Sequence, residues 1–122
     1  MNRDPSDILD RFSISFLKME RIAEDVSKKE HEWFSEGLEE LCQKYPAYDW
    51  HQLANYLYKV NGLIWDLEAD MRKGQLDNDL EEVGKRAIEI RRLNSLRVGF
   101  KNIINKLVGE GVLDIKQDHI SQ

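Results

Sequence analysis

The sequence predicts an all-α fold, a three- or four-helix up-and-down bundle built on a long C-terminal αα-hairpin. Apolar residues recur three and four positions apart over most of the chain, the spacing that gives a helix one apolar face. Seven glycines and two prolines in 122 residues are too few turn formers for many short strands, and 34% charged against 41% apolar residues suits amphipathic helices. A chain this long can bury one core, so a single helical domain over 1–122 is expected.

The elements follow from local signals. Asp4-Pro5-Ser6-Asp7 combines a capping residue, a proline suited to the first helical turn and an acid near the positive end of the helix dipole. The helix that opens there is expected to run at least through Val26, on a stripe of Leu9, Phe12, Phe16, Met19, Ala23 and Val26. Ser27 to Glu32 is polar all round; Trp33, Phe34, Leu38 and Leu41 resume the pattern to Lys44, either in the same helix or in a second one after a bend. Pro46 ends it, because proline lacks an amide proton and disfavours helix in the residue before it. Asp49 with Gln52 three residues on forms a capping box for a helix that stops near Gly74, on the stripe Trp50, Leu53, Leu57, Val60, Ile64, Leu67 and Met71. Gln75 to Asn78 is a short polar turn. Asp79 caps a last helix that reaches Val108, where Gly109 and Gly111 stop it, with the stripe Leu93, Leu96, Phe100, Ile103 and Leu107 turned to the core. The tail over 112–122 is too poor in apolar residues to fix a structure and is expected to be flexible.

A formal charge of −5 argues against a nucleic-acid coat, since phosphate binding needs a basic field. The charge is uneven. From Lys85 to Lys106 seven bases face one acid, Glu89; from Glu20 to Glu40 eight acids face three bases. Such segments are expected to pack together or to dimerise. The lone Cys42 excludes an internal disulfide and is read as core filler, and Met1 to Asp7 resembles no signal or transit peptide. With no apolar run of membrane-spanning length, the expectation is a cytoplasmic protein, homo-oligomeric, without membrane insertion, metal or cofactor.

The candidate site comes from periodicity. On three helices a polar stripe follows the apolar one by a single residue, on the edge of the buried seam. Asp10, Ser13 and Glu20 lie on the first; Asn61, Trp65, Glu68 and Arg72 on the helix after Asp49; Asn94, Arg97, Lys101 and Asn105 on the last. Three such edges can converge on one polar cluster.

The same residues carry a resemblance. Ile8-Leu9-Asp10-Arg11-Phe12-Ser13-Ile14, followed by Lys18-Met19-Glu20-Arg21-Ile22, resembles the opening helix of a family of short, all-helical bacterial and phage proteins of unknown function, often found beside polysaccharide-building glycosyltransferases. The hairpin is similar to that family at Val60-Asn61, Leu63, Trp65, Leu67-Glu68, Arg72, Asn94, Arg97, Lys101 and Ile104-Asn105. Asp25 to Trp50 lies outside the similarity, and the chain departs at Phe16, where an acid is expected, and over Glu110 to Asp118. The resemblance implies a helical fold and a link to cell-surface glycan assembly; it carries over no activity.

The inventory of the stripe admits several uses. Asp10, Glu20 and Glu68 balance Arg72, Arg97 and Lys101, so the set can satisfy itself as an ion-pair network that fixes helix register. Alternatively, Arg72, Arg97 and Lys101 clamp the phosphate of a nucleotide, cyclic nucleotide or sugar nucleotide, with Asn61 and Asn94 orienting it and Trp65 stacking on it. A magnesium-dependent nucleotide hydrolase would need paired carboxylates on facing helices; Glu36, Glu39 and Glu40, with Glu68 and Asp70 later, are candidates, but the second pair has the wrong spacing for that motif. His31, His51 and His119 lie in separate regions without HExxH and are read as surface histidines. Trp33 and Phe34, with Tyr45, Tyr48 and Trp50 around Pro46, could present an aromatic patch to a protein partner. The reading taken is a binding or accessory protein without catalysis.

Overall fold

The computed structural model describes residues 4–22 and 25–109, apart from the side chains of 25–27. Among these residues there are four helices and no strand: α1 (Pro5–Arg21), α2 (Asp25–Lys44), α3 (Trp50–Arg72) and α4 (Leu80–Val108). Ala23, the side chain of Val26 and the tail over 112–122 fall outside the described residues. The helices run up and down. Ser15 on α1 meets His31 on α2, Tyr56 on α3 meets Phe100 on α4, and Asp10 on α1 meets Lys101 on α4.

The first two helices are separate, where the sequence left one continuous rod open. Geometry explains the break: a straight helix from Ile8 to Leu41 would hold its ends roughly 50 Å apart. Both residues instead bury in one cluster with Leu9, Leu38, Trp50, Ala54, Leu57 and Ile104, which only a chain reversal allows. The later helices start and stop where local chemistry dictates. The carboxylates of Asp49 and Asp79 accept from the backbone N–H of Gln52 and Glu82, each at 3.1 Å. Gly109 closes α4 at φ +66°, a left-handed conformation that a side chain would strain. Asp4 behaves differently from the sequence expectation, since its side chain makes no capping bond.

The orientation of α4 departs further from the pattern. Leu93 is buried as expected, but Leu96, Ile103 and Leu107 face outward, and Val98, Lys101, Ile104 and Asn105 take the interior. On α1, Phe16 is exposed while Ile8, Leu17, Asp10 and Ser13 are buried. Both helices are therefore rolled so that the polar stripe, rather than the centre of the apolar one, faces the bundle axis. Only α3 buries its stripe as written, through Trp50, Leu57, Val60 and Ile64. Arg86 ties the hairpin shut by donating to the Leu67 carbonyl (3.2 Å), Asp70 (3.3 Å) and Glu82 (3.0 Å).

The opposite charges of the two segments do not bring them together. Helix α2 lies against α1 and α3, and its backbone does not come close to that of α4 among the described residues. The bases of α4 are answered locally instead: Lys85 by Glu81, Arg86 by Glu82 and Asp70, Arg92 by Glu89, and Arg97 and Lys101 by Asp10. Of the seven, Arg91 and Lys106 have no ion pair among the described residues. No helix of the described residues is long and apolar enough to cross a membrane.

Candidate functional site

Asp10 and Ser13 from α1, Asn61 from α3 and Arg97 and Lys101 from α4 meet inside the bundle. The Asn61 amide donates one proton to Asp10 Oδ1 (2.9 Å) and the other to Ser13 Oγ (2.8 Å), which fixes its orientation. Its carbonyl oxygen accepts from Arg97 Nη1 at 3.4 Å. The remaining carboxylate oxygen of Asp10 lies 3.8 Å from Lys101 Nζ and 4.0 Å from Arg97 Nη1. Ser13 Oγ donates to the Asp10 carbonyl at 2.7 Å. Asp10, Ser13, Asn61 and Lys101 are buried, whereas the Arg97 side chain is 25% exposed. Low local dielectric strengthens every bond in such a cluster and penalises every group left out of it.

Asn105 extends the polar interior one turn further along α4. Its Oδ1 accepts the backbone N–H of Ser6 at 3.2 Å, one of the first-turn amides that has no partner within α1. The side chain of α4 thus performs the capping that Asp4 does not. Three buried atoms here lack a hydrogen-bond partner among the described residues: Ser6 Oγ, Asn105 Nδ2 and Arg97 Nε.

The other residues of the predicted set lie elsewhere. Glu20 accepts from the Tyr58 hydroxyl at 2.6 Å, a bond that raises the phenol's pKa. Arg72 pairs with Glu68 at 3.7 Å in an exposed i,i+4 contact, worth only about 0.2–0.5 kcal/mol. Its guanidinium stands 5.0 Å from the Trp65 ring centroid, and Arg21, which is bonded to Asp66, approaches the same ring at 5.9 Å. Trp65 thus already has two cations of its own chain beside its ring. Asn94 is half-buried, and its side chain makes no hydrogen bond among the described residues.

A cleft of about 250 Å³ opens between α1 and α3, lined by Phe12, Phe16 and Tyr58 with Ser13, His51 and Asn55. It reaches the polar cluster only through Ser13; neither Arg97 nor Lys101 lines it. No group of three His, Cys, Asp or Glu side chains suited to a metal ion forms among the described residues. The aromatic patch proposed around Pro46 is dismantled too. Phe34 and Trp50 are core, Tyr45 and Tyr48 lean against Trp50, and Trp33 alone of the five is exposed. Cys42 packs against the core, and its thiol pKa is raised by burial and by the nearby Glu39 and Asp49 carboxylates.

His31 is not the surface residue that its sequence context implies, for its ring stacks on Phe12 at 4.9 Å and touches Phe16 at 5.5 Å. Ser15 Oγ donates its single proton to the Phe12 carbonyl at 2.8 Å, so at 3.1 Å it accepts from His31 Nδ1–H. Burial pushes the imidazole pKa below its ordinary value, with Glu32 opposing. The unfolded chain then binds this proton more tightly than the folded one, and stability contributed by neutral His31 is lost as pH falls through about 6.5 towards the lower folded value. Urea midpoints at pH 7.5 and 5.5 should therefore fall further for the wild type than for His31→Gln. Equal falls would mean that His31 titrates alike in both states.

No family, no curated protein and no solved structure matches this chain.

Proposed function

We propose that the chain works without catalysis, as a helical binding or accessory protein in which the Asp10–Asn61–Arg97–Lys101 network sets helix register. The observation that carries this reading is the exchange of bonds inside the cluster. Both amide protons and the carbonyl of Asn61, and both carboxylate oxygens of Asp10, already face protein groups. A phosphate bound there would have to displace Asp10 from two cations and desolvate its own charge in the same space. The resemblance to proteins encoded beside glycosyltransferases makes an enzyme of cell-surface glycan assembly the first partner to test.

A second reading, a site for a small phosphorylated ligand, draws on one observation: two cations share one carboxylate, and Arg97 Nε is buried without a hydrogen-bond partner among the described residues. A thermal-shift screen of wild type and Arg97→Ala against nucleotides, cyclic nucleotides, sugar nucleotides and sugar phosphates separates the two. The expected outcome is no response from either protein, with Arg97→Ala less stable by about 1–3 kcal/mol through the loss of charge-assisted hydrogen bonding. A compound that stabilises the wild type alone would make the cluster a pocket. A ligand at 100 times its Kd adds about 2.7 kcal/mol, well within detection.

A further inference from the structure

The cleft between α1 and α3 owes its space to two small side chains. Ser13 and Ala54, 1% and 3% exposed, form its floor, and the bulk around them comes from Phe12 and Phe16 on α1 and Tyr58 on α3. An apolar cavity of roughly 150 Å³ holds a benzene ring, so the space of about 250 Å³ here admits one ring with substituents or a fused pair. The walls are held before anything enters. His31, reaching across from α2, stacks on Phe12 at 4.9 Å and touches Phe16 at 5.5 Å; Phe16 meets Tyr58 edge to face at 5.5 Å; and the Tyr58 hydroxyl donates to Glu20 at 2.6 Å. Rings already fixed lose little freedom to a ligand, which spares much of the ordering cost of binding.

The lining sets the charge of what fits. No Asp, Glu, Lys or Arg side chain is part of it. The charges nearby on the same helices are engaged or stand outside: Arg11 pairs with Asp7, Lys18 with Glu30, and Asp10 with Arg97 and Lys101, Glu20 holds the Tyr58 hydroxyl, and Lys59 is exposed beyond the lining. A phosphate or carboxylate entering would give up its water with only the His51 imidazole to answer it. Neutral polar groups are well served. At the rim the side chains of His51 and Asn55, one turn apart on α3, make no hydrogen bond among the described residues. On the floor Ser13 Oγ donates to the Asp10 carbonyl and accepts from Asn61, which leaves it one lone pair.

We infer that this cleft is a binding site for an uncharged aromatic compound of one or two rings that carries a hydroxyl or a ring N–H, of the phenol or indole class. Its ring packs among Phe12, Phe16 and Tyr58, and its polar edge bonds to the Asn55 amide at the rim. Apolar walls with a few convergent polar groups are the ordinary make-up of a small-molecule site. The cleft is separate from the Asp10–Asn61–Arg97–Lys101 network, which it meets only at Ser13, and the inference holds whether that network sets helix register or takes a phosphorylated ligand.

Titration of the full chain with p-cresol and with indole, followed by backbone-amide NMR, tests it. Saturable shifts centred on Ser13, Asn55 and Tyr58 are expected, with a Kd on the order of 0.1–1 mM for so few ligand atoms. Phenyl phosphate, the same ring with a charge, should bind about tenfold more weakly or not at all. Phe16→Ala removes one wall at a partly exposed position and should weaken both compounds by about tenfold while keeping the helical circular dichroism of the wild type. Asn55→Leu, at an exposed position, should weaken p-cresol by about threefold or more through the lost hydrogen bond. No saturation by about 5 mM of either compound, or shifts centred on another part of the bundle, overturns the site. Phenyl phosphate that binds as well as p-cresol overturns the uncharged class, and Phe16→Ala or Asn55→Leu that binds undiminished overturns the placement of the ligand.

Discussion

Asp10→Ala is expected to cost about 3–5 kcal/mol, the range for removing one partner of a buried ion pair, and to exceed the loss from Arg97→Ala. Asp10 faces both Arg97 and Lys101 with one carboxylate oxygen, and the other takes a proton of the buried Asn61 amide. Without it, two cations are left crowding each other around that amide in a space largely closed to water. Arg97 is the lesser loss: it is a quarter exposed, stands 4.0 Å from the carboxylate, and leaves Lys101 beside Asp10 when removed. Asp10→Asn separates charge from shape. It keeps the side-chain volume and an acceptor for Asn61, so most of the loss should persist if charge balance is the cause. Urea unfolding followed by circular dichroism measures all three variants. An Asp10→Ala protein within about 1 kcal/mol of the wild type would lose no more than a broken surface pair costs and would remove the network from the architecture of the fold.

What the sequence made legible is what neighbouring residues decide among themselves. Asp49 with Gln52, Asp79 with Glu82, and Gly109 each signal a helix end within four residues, and the helices begin and end there. The polar stripe was equally readable, because periodicity fixes the angle of a residue around its helix. It does not fix height along the bundle. Asn61 and Arg72 share a face of α3 but stand eleven residues, roughly 16 Å, apart, which is why Asn61 reaches Asp10 and Arg72 reaches only Glu68 and Trp65. Segment charge misleads for a related reason. The basic run of α4 is largely neutralised in space by Asp10, Asp70, Glu81, Glu82 and Glu89, acids that adjacent turns and other helices supply. The roll of α4 could not be read at all: an apolar heptad stripe looks the same whether its own chain or another covers it. Ser6 and His31 were missed because their roles depend on contacts with Asn105 and Phe12, far away in the chain.

Trp50→Ala should be the other severe substitution, costing about 3–5 kcal/mol, the range for truncating a buried aromatic residue. Trp50 is 1% exposed and opens α3 at the point where all four helices converge, against Leu9, Leu38, Leu41, Ala54, Leu57 and Ile104. Its indole Nε1–H donates to the Tyr45 carbonyl at 2.9 Å and so ties the end of α2 to the start of α3 across the turn at Pro46. Tyr45 and Tyr48 tilt against the ring at 5.9 and 5.7 Å, and the Tyr48 hydroxyl carries the linkage to the far end of α4 through the Leu107 carbonyl at 3.2 Å. Truncation therefore opens a cavity and releases a turn at once. With total stability on the order of 5–15 kcal/mol for a domain of this size, the variant keeps at best a thin margin and should melt at least about 10 °C lower. Trp50→Phe divides the two contributions. It refills most of the volume but cannot donate to Tyr45, and the loss should shrink to about 1–3 kcal/mol, the cost of stranding one buried acceptor plus a small void. Trp33 and Trp65 remain as fluorescent reporters in both variants, so the same unfolding curve can be read by fluorescence and by circular dichroism. If Trp50→Ala unfolds within 1 kcal/mol of the wild type by both probes, the four-helix junction is not the centre of stability, and the second cluster at Val60, Ile64 and Leu93 must carry the fold.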